Sequence, residues 1–403
     1  MSQTNIGCVT RPAQCVHGND WCRGGVISKR TMLNGQWIGP YTGTNTGMLV
    51  IELDERESHY EGRASTYDDD RSLTALVASI RTIDKSDAQH LVNVPLQVLG
   101  TSGQPMTADA ARVAYPNVVL PETATATLNL SGDTLSVSAV TNIGTSITST
   151  LGRSQAALDS AYASEPAVQT WEQFKTFVAA LDYHRFIFRG QSTQRRLRTR
   201  YHRSGRADIA LYLQNDIPTL HRRLSARTRH LFDLTKPDEL GAFMSLAQHH
   251  GYPTPLLDWT YSPFIAAFFA YRLTDSAKAA FAAPDVRVRI FVFDQLTWKN
   301  TLPPLLNLTP HGLNLSILEV LPIDNERMIP QQSVTTVTNV DDVESYVRFY
   351  EERHHKQYLR VIDLPLAERA LVMRELSVMG ITAGSMFPSL DGVCEELREQ
   401  LFP

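Results

Sequence analysis

The chain has 403 residues, 43% hydrophobic and 20% charged, with a formal net charge of −4. That length exceeds one small core and predicts two domains. The balance of charge excludes a protein that coats nucleic acid over its whole surface, but leaves room for a local basic patch.

No apolar run is long enough to cross a bilayer. The opening "MSQTNIGCVTRPAQC" lacks an apolar signal core, so a cytoplasmic protein with no membrane contact is expected. Residues 1–29 read as a flexible tail. Cys8, Cys15 and Cys22 are equally spaced there beside His17, and the fourth cysteine is Cys394. Zinc sites favour close cysteine pairs, so no metal is expected.

Residues 30–150 alternate apolar and polar positions in short runs rich in Thr, Ser, Val and Gly. "GQWIGPYTGTNTGMLVIELDERESHYEGRAS" and "ETATATLNLSGDTLSVSAVTNIGTSITSTLG" are strands broken by Gly and Asn turns. "SLTALVASIRTID" and "NVPLQVLG" supply further strands. The pattern predicts an antiparallel β sandwich or barrel used for recognition of a regulatory ligand or partner. Trp37 and Tyr41 fall at same-face positions, either as core or as the lining of a cup.

From residue 151 to 403 the texture is mixed α+β. "SQAALDSAYAS" and "TWEQFKTFVAALD" read as helices. "RFIFRG" is a strand, and "ADIALYLQNDIPTLHRRLSARTRHLFDL" is a helix. "RVRIFVFD", "SILEVLP", "SVTTVTNV" and "YLRVIDLP" are strands. "LAERALVMRELSVMG" is a helix stopped by Gly380.

Three segments of this second region carry the chemistry. In "HRFIFRGQS", Arg189 ends an apolar strand and precedes Gly190 and Gln191. Its planar fork suits a phosphate, while a structural tie to a carboxylate fits the residue types equally. In "LAQHHGYPTPLLDWTYSPFIAAFFAYR", the groups Gln248, His249, Asp258, Thr260 and Ser262 can all hydrogen-bond, and Trp259 offers a stacking face. The competing reading makes Thr260 or Ser262 the cap of a helix with Pro263 in its first turn. In "LPIDNERMIPQQSVTTV", Glu326 sits just before a β-type run, with Gln331 and Gln332 after Pro330. It reads either as a strand-edge carboxylate that orients a hydroxyl or as an exposed partner of Arg327.

"FRGQ", "LAQHHGYPTPLLDWTYSPFIAAFFA", "RMIPQQSV" and "GITAGSMFPSLDGVCEEL" occur in an order that resembles the FRG domain family over about residues 165–400. Pro255 stands where the family commonly has Arg, and Ser333 where Gly is usual. The order of Arg, Thr and Glu is also similar to the Arg–Ser/Thr–Glu arrangement of ADP-ribosyltransferases. That resemblance implies an ADP-ribosyltransferase-like FRG domain consuming NAD as substrate. It gives Arg189, Thr260 and Glu326 catalytic places, with Arg189 on the diphosphate and Glu326 on the ribose. It places Trp259 or Tyr261 against nicotinamide, and puts Gly190, Gln191, Gln248, His249, Asp258, Ser262 and Gln331 in the pocket. An antiviral defence or toxin role, with a nucleic-acid or protein acceptor, is implied by resemblance alone. The alternative is a nucleotide- or nucleic-acid-binding module that does not turn over. The basic stretch from Arg185 to Arg229 fits nucleic acid, or is a solvated helical face.

Overall fold

A computed structural model describes residues 32–402, apart from 71–72, 101–102, 183 and 303–311. The tail expected at 1–29, with Cys8, Cys15 and Cys22, lies outside the described residues.

The N-terminal part is a closed barrel of eight antiparallel strands in sequence order. They are β1 (Gly35–Gly43), β2 (Gly47–Glu55), β3 (Tyr60–Asp68), β4 (Leu76–Arg81), β5 (Ala88–Val98), β6 (Thr123–Ser131), β7 (Thr134–Thr141) and β8 (Ser146–Arg153). Pairing of β8 with β1 closes it. Of the two sequence alternatives, sandwich or barrel, the barrel forms. Its interior follows from period-two alternation: Leu49, Ile51 and Leu53 of β2 all point inward with Trp37 and Leu151. The short helix Ala108–Ala114, which the strand pattern does not announce, sits between β5 and β6.

The second part is a mixed region built on one six-stranded sheet, ordered β12-β13-β10-β9-β11-β14. Its strands are β9 (Phe186–Gln191), β10 (Leu256–Thr260), β11 (Arg287–Asp294), β12 (Leu315–Leu318), β13 (Ser333–Thr338) and β14 (Leu359–Pro365). Every neighbouring pair is antiparallel. One face packs on the helices Trp171–Ala179, Pro263–Tyr271 and Arg369–Val378 through Phe186, Phe188, Ile290 and Ile362. The other packs Ile187, Trp259, Phe291 and Phe293 against Trp298 and Tyr358. No helix among the described residues is long and apolar enough to cross a membrane.

Two sequence expectations for helices are corrected. "SQAALDSAYAS" is not helical; it makes a turn in which Leu158 N–H donates to the Gln155 carbonyl, then bridges Arg195 at Asp159 and Val361 at Ser164. The helix expected from residue 207 to 234 is shorter and interrupted. Tyr212–Asp216 widens into a π turn, and the following helix stops at Leu224. Pro218 supplies the reason for the widening, since it has no N–H to give to an i−4 carbonyl.

Strand β2 has buried residues on both faces, because the second region covers the outward face of the barrel there. Asp54 is fully buried. It accepts from Arg206 Nε at 2.5 Å, from Ala207 N–H at 2.7 Å and from Asp208 N–H at 3.3 Å. Arg63 bridges Glu52 at 3.2 Å and Asp208 at 3.0 Å. Gln36 donates to the Asn339 carbonyl at 2.6 Å and accepts from Asp341 N–H at 2.8 Å. A buried carboxylate with three donors is stable only while those donors stay in place.

Two outcomes follow for this seam. Asp54→Ala strips the partner from two backbone N–H groups and leaves Arg206 with Asp216 alone at 2.9 Å, and should destabilise the chain by about 2–4 kcal/mol in denaturant melts. Burial, outweighing the pull of Arg63, pushes the Glu52 carboxyl from 4.5 up to about 7. A carboxyl that holds its proton more tightly when folded supports the fold at low pH, and this support is lost as pH rises through about 7. The stability of the wild type relative to Glu52→Gln should therefore fall by on the order of 1–3 kcal/mol between about pH 5 and about pH 8. A flat difference would mean that Glu52 ionises normally.

Candidate functional site

Strand β9 sorts its side chains by alternation. Phe186 and Phe188 face the helix Pro263–Tyr271, whereas Ile187 faces the opposite layer. Gly190 returns to the helix face. A Cβ built there would overlap the Ala266 carbonyl oxygen and come within 2.7 Å of Ala270 N. The close approach that Gly190 permits is thus that of a helix backbone, and not of a phosphate.

Arg189 shares its face with Ile187 and with its cross-strand partner Phe291. Between β9 and β10 only Phe188 and Thr260 are in register. Where the strands part, Arg189 reaches across and Nη1 donates to the Asp258 carbonyl at 2.5 Å. Its Nε is buried with no hydrogen-bond partner among the described residues. Loss of solvent lowers the guanidinium pKa, against the opposing charge of Asp258.

More arginines gather there. The short helix Arg200–Arg203 is capped by Thr199 and tied to the bend by Tyr201 N–H donating to the Thr254 carbonyl at 3.2 Å. Arg203 reaches the surface, yet the protein crowds its guanidinium. That desolvation, followed by the charges of Arg189, Arg200 and Arg198, pushes it down to about 10. Arg198 is neutralised by Asp341 at 2.5 and 3.1 Å. Arg200 is exposed, and its Nη1 would lie 3.6 Å from a Cβ on Gly251. The basic stretch announced these residues as a run of charge; their convergence on Arg189 required the fold.

The bend itself is internally bonded. The Thr254 hydroxyl donates to Gln248 Oε1, and the Tyr212 hydroxyl donates to the Pro253 carbonyl at 3.0 Å. Gly251 takes a positive φ of 90°, which a side chain would strain. His249 Nδ1 lies 2.7 Å from Asn325 Oδ1, and its carbonyl accepts from Arg327 at 2.8 Å. Glu326, between those two residues, is exposed and sits in a turn. The strand-edge placement expected for it is therefore corrected, because β13 begins only at Ser333.

The remaining expected site residues divide as follows. Trp259 is 4% exposed, packs on Phe293 and donates Nε1 to Thr336 at 3.0 Å. It is core, with no free face for nicotinamide. Thr260 is buried and accepts from Ser262 N–H, and Ser262 caps the next helix by accepting from Ile265 N–H. The capping reading holds for Ser262, while Thr260 ends β10 and steadies the cap through the Ser262 N–H. Thr260 is the register partner of Phe188, so its side chain lies on the face opposite Arg189. Tyr261 is partly buried, stacks on His184 at 4.7 Å and donates to Glu319 at 3.2 Å. Burial and then Glu319 push its phenol up to about 12. Gln191 donates to the Arg195 carbonyl, and buried Gln331 to the Met386 carbonyl. Among the described residues, no three His, Cys, Asp or Glu side chains group as metal ligands do.

The FRG domain family model matches residues 184–279. The matched span holds β9, the arginine helix, the bend and β10, and ends before Glu326 and Gln331. No curated protein and no solved structure matches the chain.

Gly190→Ala tests the strand–helix packing near the start of the matched span. It should lower stability by about 2 kcal/mol or more, read as a lower Tm. An unchanged Tm would show that the strand and helix can separate at no cost.

Proposed function

We propose that the FRG-matched region binds a phosphate-bearing nucleotide, with NAD the first candidate, on the guanidinium cluster of Arg189, Arg200 and Arg203. The observation that carries this reading is the cluster's unbalanced charge. Arg189 has a buried Nε without a partner, and Arg203 holds its proton less tightly, first through desolvation and then through the charges of Arg189, Arg200 and Arg198. A diphosphate relieves both, since its oxygens accept from several forks at once. Binding is favoured over turnover by Thr260, which accepts from the Ser262 N–H on the opposite face of the sheet, and by Trp259, which is spent in the core. ADP-ribosyl transfer through Arg189 and Thr260 together would require both side chains on one face of the sheet.

A second reading rests on a separate observation. Arg222, Arg223, Arg227 and Arg229 are exposed, and no salt bridge to them is found among the described residues. Together with Arg200 and Arg203 they offer phosphate contacts to a nucleic acid.

Titration of the full chain with NAD and with ADP separates these readings. Saturable binding is expected, weakened roughly tenfold by Arg203→Ala, which alters an exposed residue. Binding that ignores Arg203→Ala, or no binding of either nucleotide, would remove the proposal. Binding of a short duplex that falls steeply with salt and is insensitive to NAD would favour the second reading. Nicotinamide release by the wild type that is lost in Glu326→Gln would restore the transferase.

A further inference from the structure

The barrel is unevenly filled. At one end Trp37, Leu53, Tyr60, Leu130, Leu135 and Leu151 close the interior, and Trp37 Nε1 donates to the Leu33 carbonyl at 2.9 Å to seal it. Toward the other end Ala64, Ala78, Ala124, Ala126 and Ala139 stand among larger aliphatic side chains such as Leu49, Ile51 and Leu128. The space they leave is a cavity of about 120 Å³. An apolar cavity of roughly 150 Å³ is enough to take up a benzene ring. Eight-stranded barrels have an interior of the size that side chains fill or one small ligand occupies. Here large side chains fill half of it.

The mouth of this cavity is polar. Tyr41, Thr44, Asn45, Asp68, Thr141 and Thr145 line it. Tyr41 is only 2% exposed, and its ring fits because its register partner is Gly47, where a Cβ would come within 3.0 Å of it. Asp68 Oδ1 is buried with no hydrogen-bond partner among the described residues, although the carboxylate stands at the rim of an apolar chamber. The Tyr41 hydroxyl shares a hydrogen bond with this carboxylate; burial first, then that bond and the Asp68 charge, drive its ionisation upward, so it stays a neutral donor and leaves Oδ1 as the unpartnered oxygen. A desolvated carboxylate oxygen calls for a donor, and best for a charged one.

We propose that the barrel lumen is a binding site for a small amine carried on an apolar body the size of a single aromatic ring. The body occupies the alanine-lined half, and the ammonium group donates to Asp68 at the mouth. The site lies in the barrel and does not depend on the nucleotide reading of the second region.

Benzylamine is the probe, with benzyl alcohol as its uncharged counterpart and calorimetry of the full chain as the readout. Benzylamine should bind saturably and roughly tenfold more tightly than benzyl alcohol, because only the amine forms a charge-assisted bond. Asp68→Asn should remove that preference while leaving the alcohol's affinity unchanged. Ala126→Leu fills the chamber and should abolish binding of both, in a protein whose circular dichroism is native. If Ala126→Leu does not fold, Ala139→Leu serves the same end from another strand. No saturable benzylamine binding would overturn the proposal. So would an amine preference that persists in Asp68→Asn, or binding that survives a folded filled-lumen variant.

Discussion

One guanidinium spans a split in the central sheet. β9 and β10 stay in register only at Phe188 and Thr260, and Arg189 bridges the gap beyond by donating to the Asp258 carbonyl. Much else depends on that bridge. It leaves the strand ends open, and the helix Arg200–Arg203 is bonded to Thr254 beside them. It also sets Arg189 in a desolvated position where a second donor, Nε, has no protein acceptor among the described residues. Arg289 and Arg369 also keep a buried nitrogen unpartnered, but each is gripped by a carboxylate, Asp363 and Glu399, whereas the hydrogen bond found for Arg189 among the described residues goes to a backbone carbonyl. The partial satisfaction of Arg189, in company with Arg200 and Arg203, is what turns a strand-end residue into a candidate anion site.

The same few residues fix the opposite face. Gly190 lets the helix Pro263–Tyr271 approach β9 until backbone meets backbone, and that helix begins where Ser262 caps it. The polar residues of the bend therefore serve two ends. Thr254, Thr260 and Ser262 terminate and connect elements, whereas His249 is held by Asn325 and Arg327 at the far side. The barrel joins this arrangement through Asp54, which takes the N–H groups of Ala207 and Asp208 just past the arginine helix. Asp208 in turn caps the next helical turn at Ala210 and Leu211. A charge in β2 is thereby connected, through backbone hydrogen bonds, to the segment that carries the arginine cluster.

Period-two alternation made the barrel legible from sequence, because inward Leu49, Ile51 and Leu53 repeat cleanly. It could not decide between sandwich and barrel, since closure depends on β8 meeting β1 across more than a hundred residues. Five strands of the second sheet were legible as short apolar runs, since layers cover both of its faces, whereas β10 was hidden in the polar bend. The site was legible only in pieces. Arg189 was visible as an arginine between an apolar run and a glycine, and Ser262 with Pro263 as a helix start. The face on which Thr260 lies was not, because register with Phe188 is a tertiary fact, and a one-residue shift would have put it beside Arg189. Trp259 looked like a stacking platform for want of any local sign that Phe293 and Thr336 would enclose it. Asp54 gave no signal at all: an acidic residue on a strand reads as solvent-facing until another part of the chain covers it.

The account turns on whether Arg189 holds an anion. A crystal structure of the full chain soaked with ADP tests this most directly. It should show a phosphate oxygen within hydrogen-bonding distance of Arg189 Nε, roughly 2.7–3.0 Å, with Arg203 on the same group. Nucleotide bound elsewhere, with Arg189 still engaged only by the Asp258 carbonyl, would contradict it.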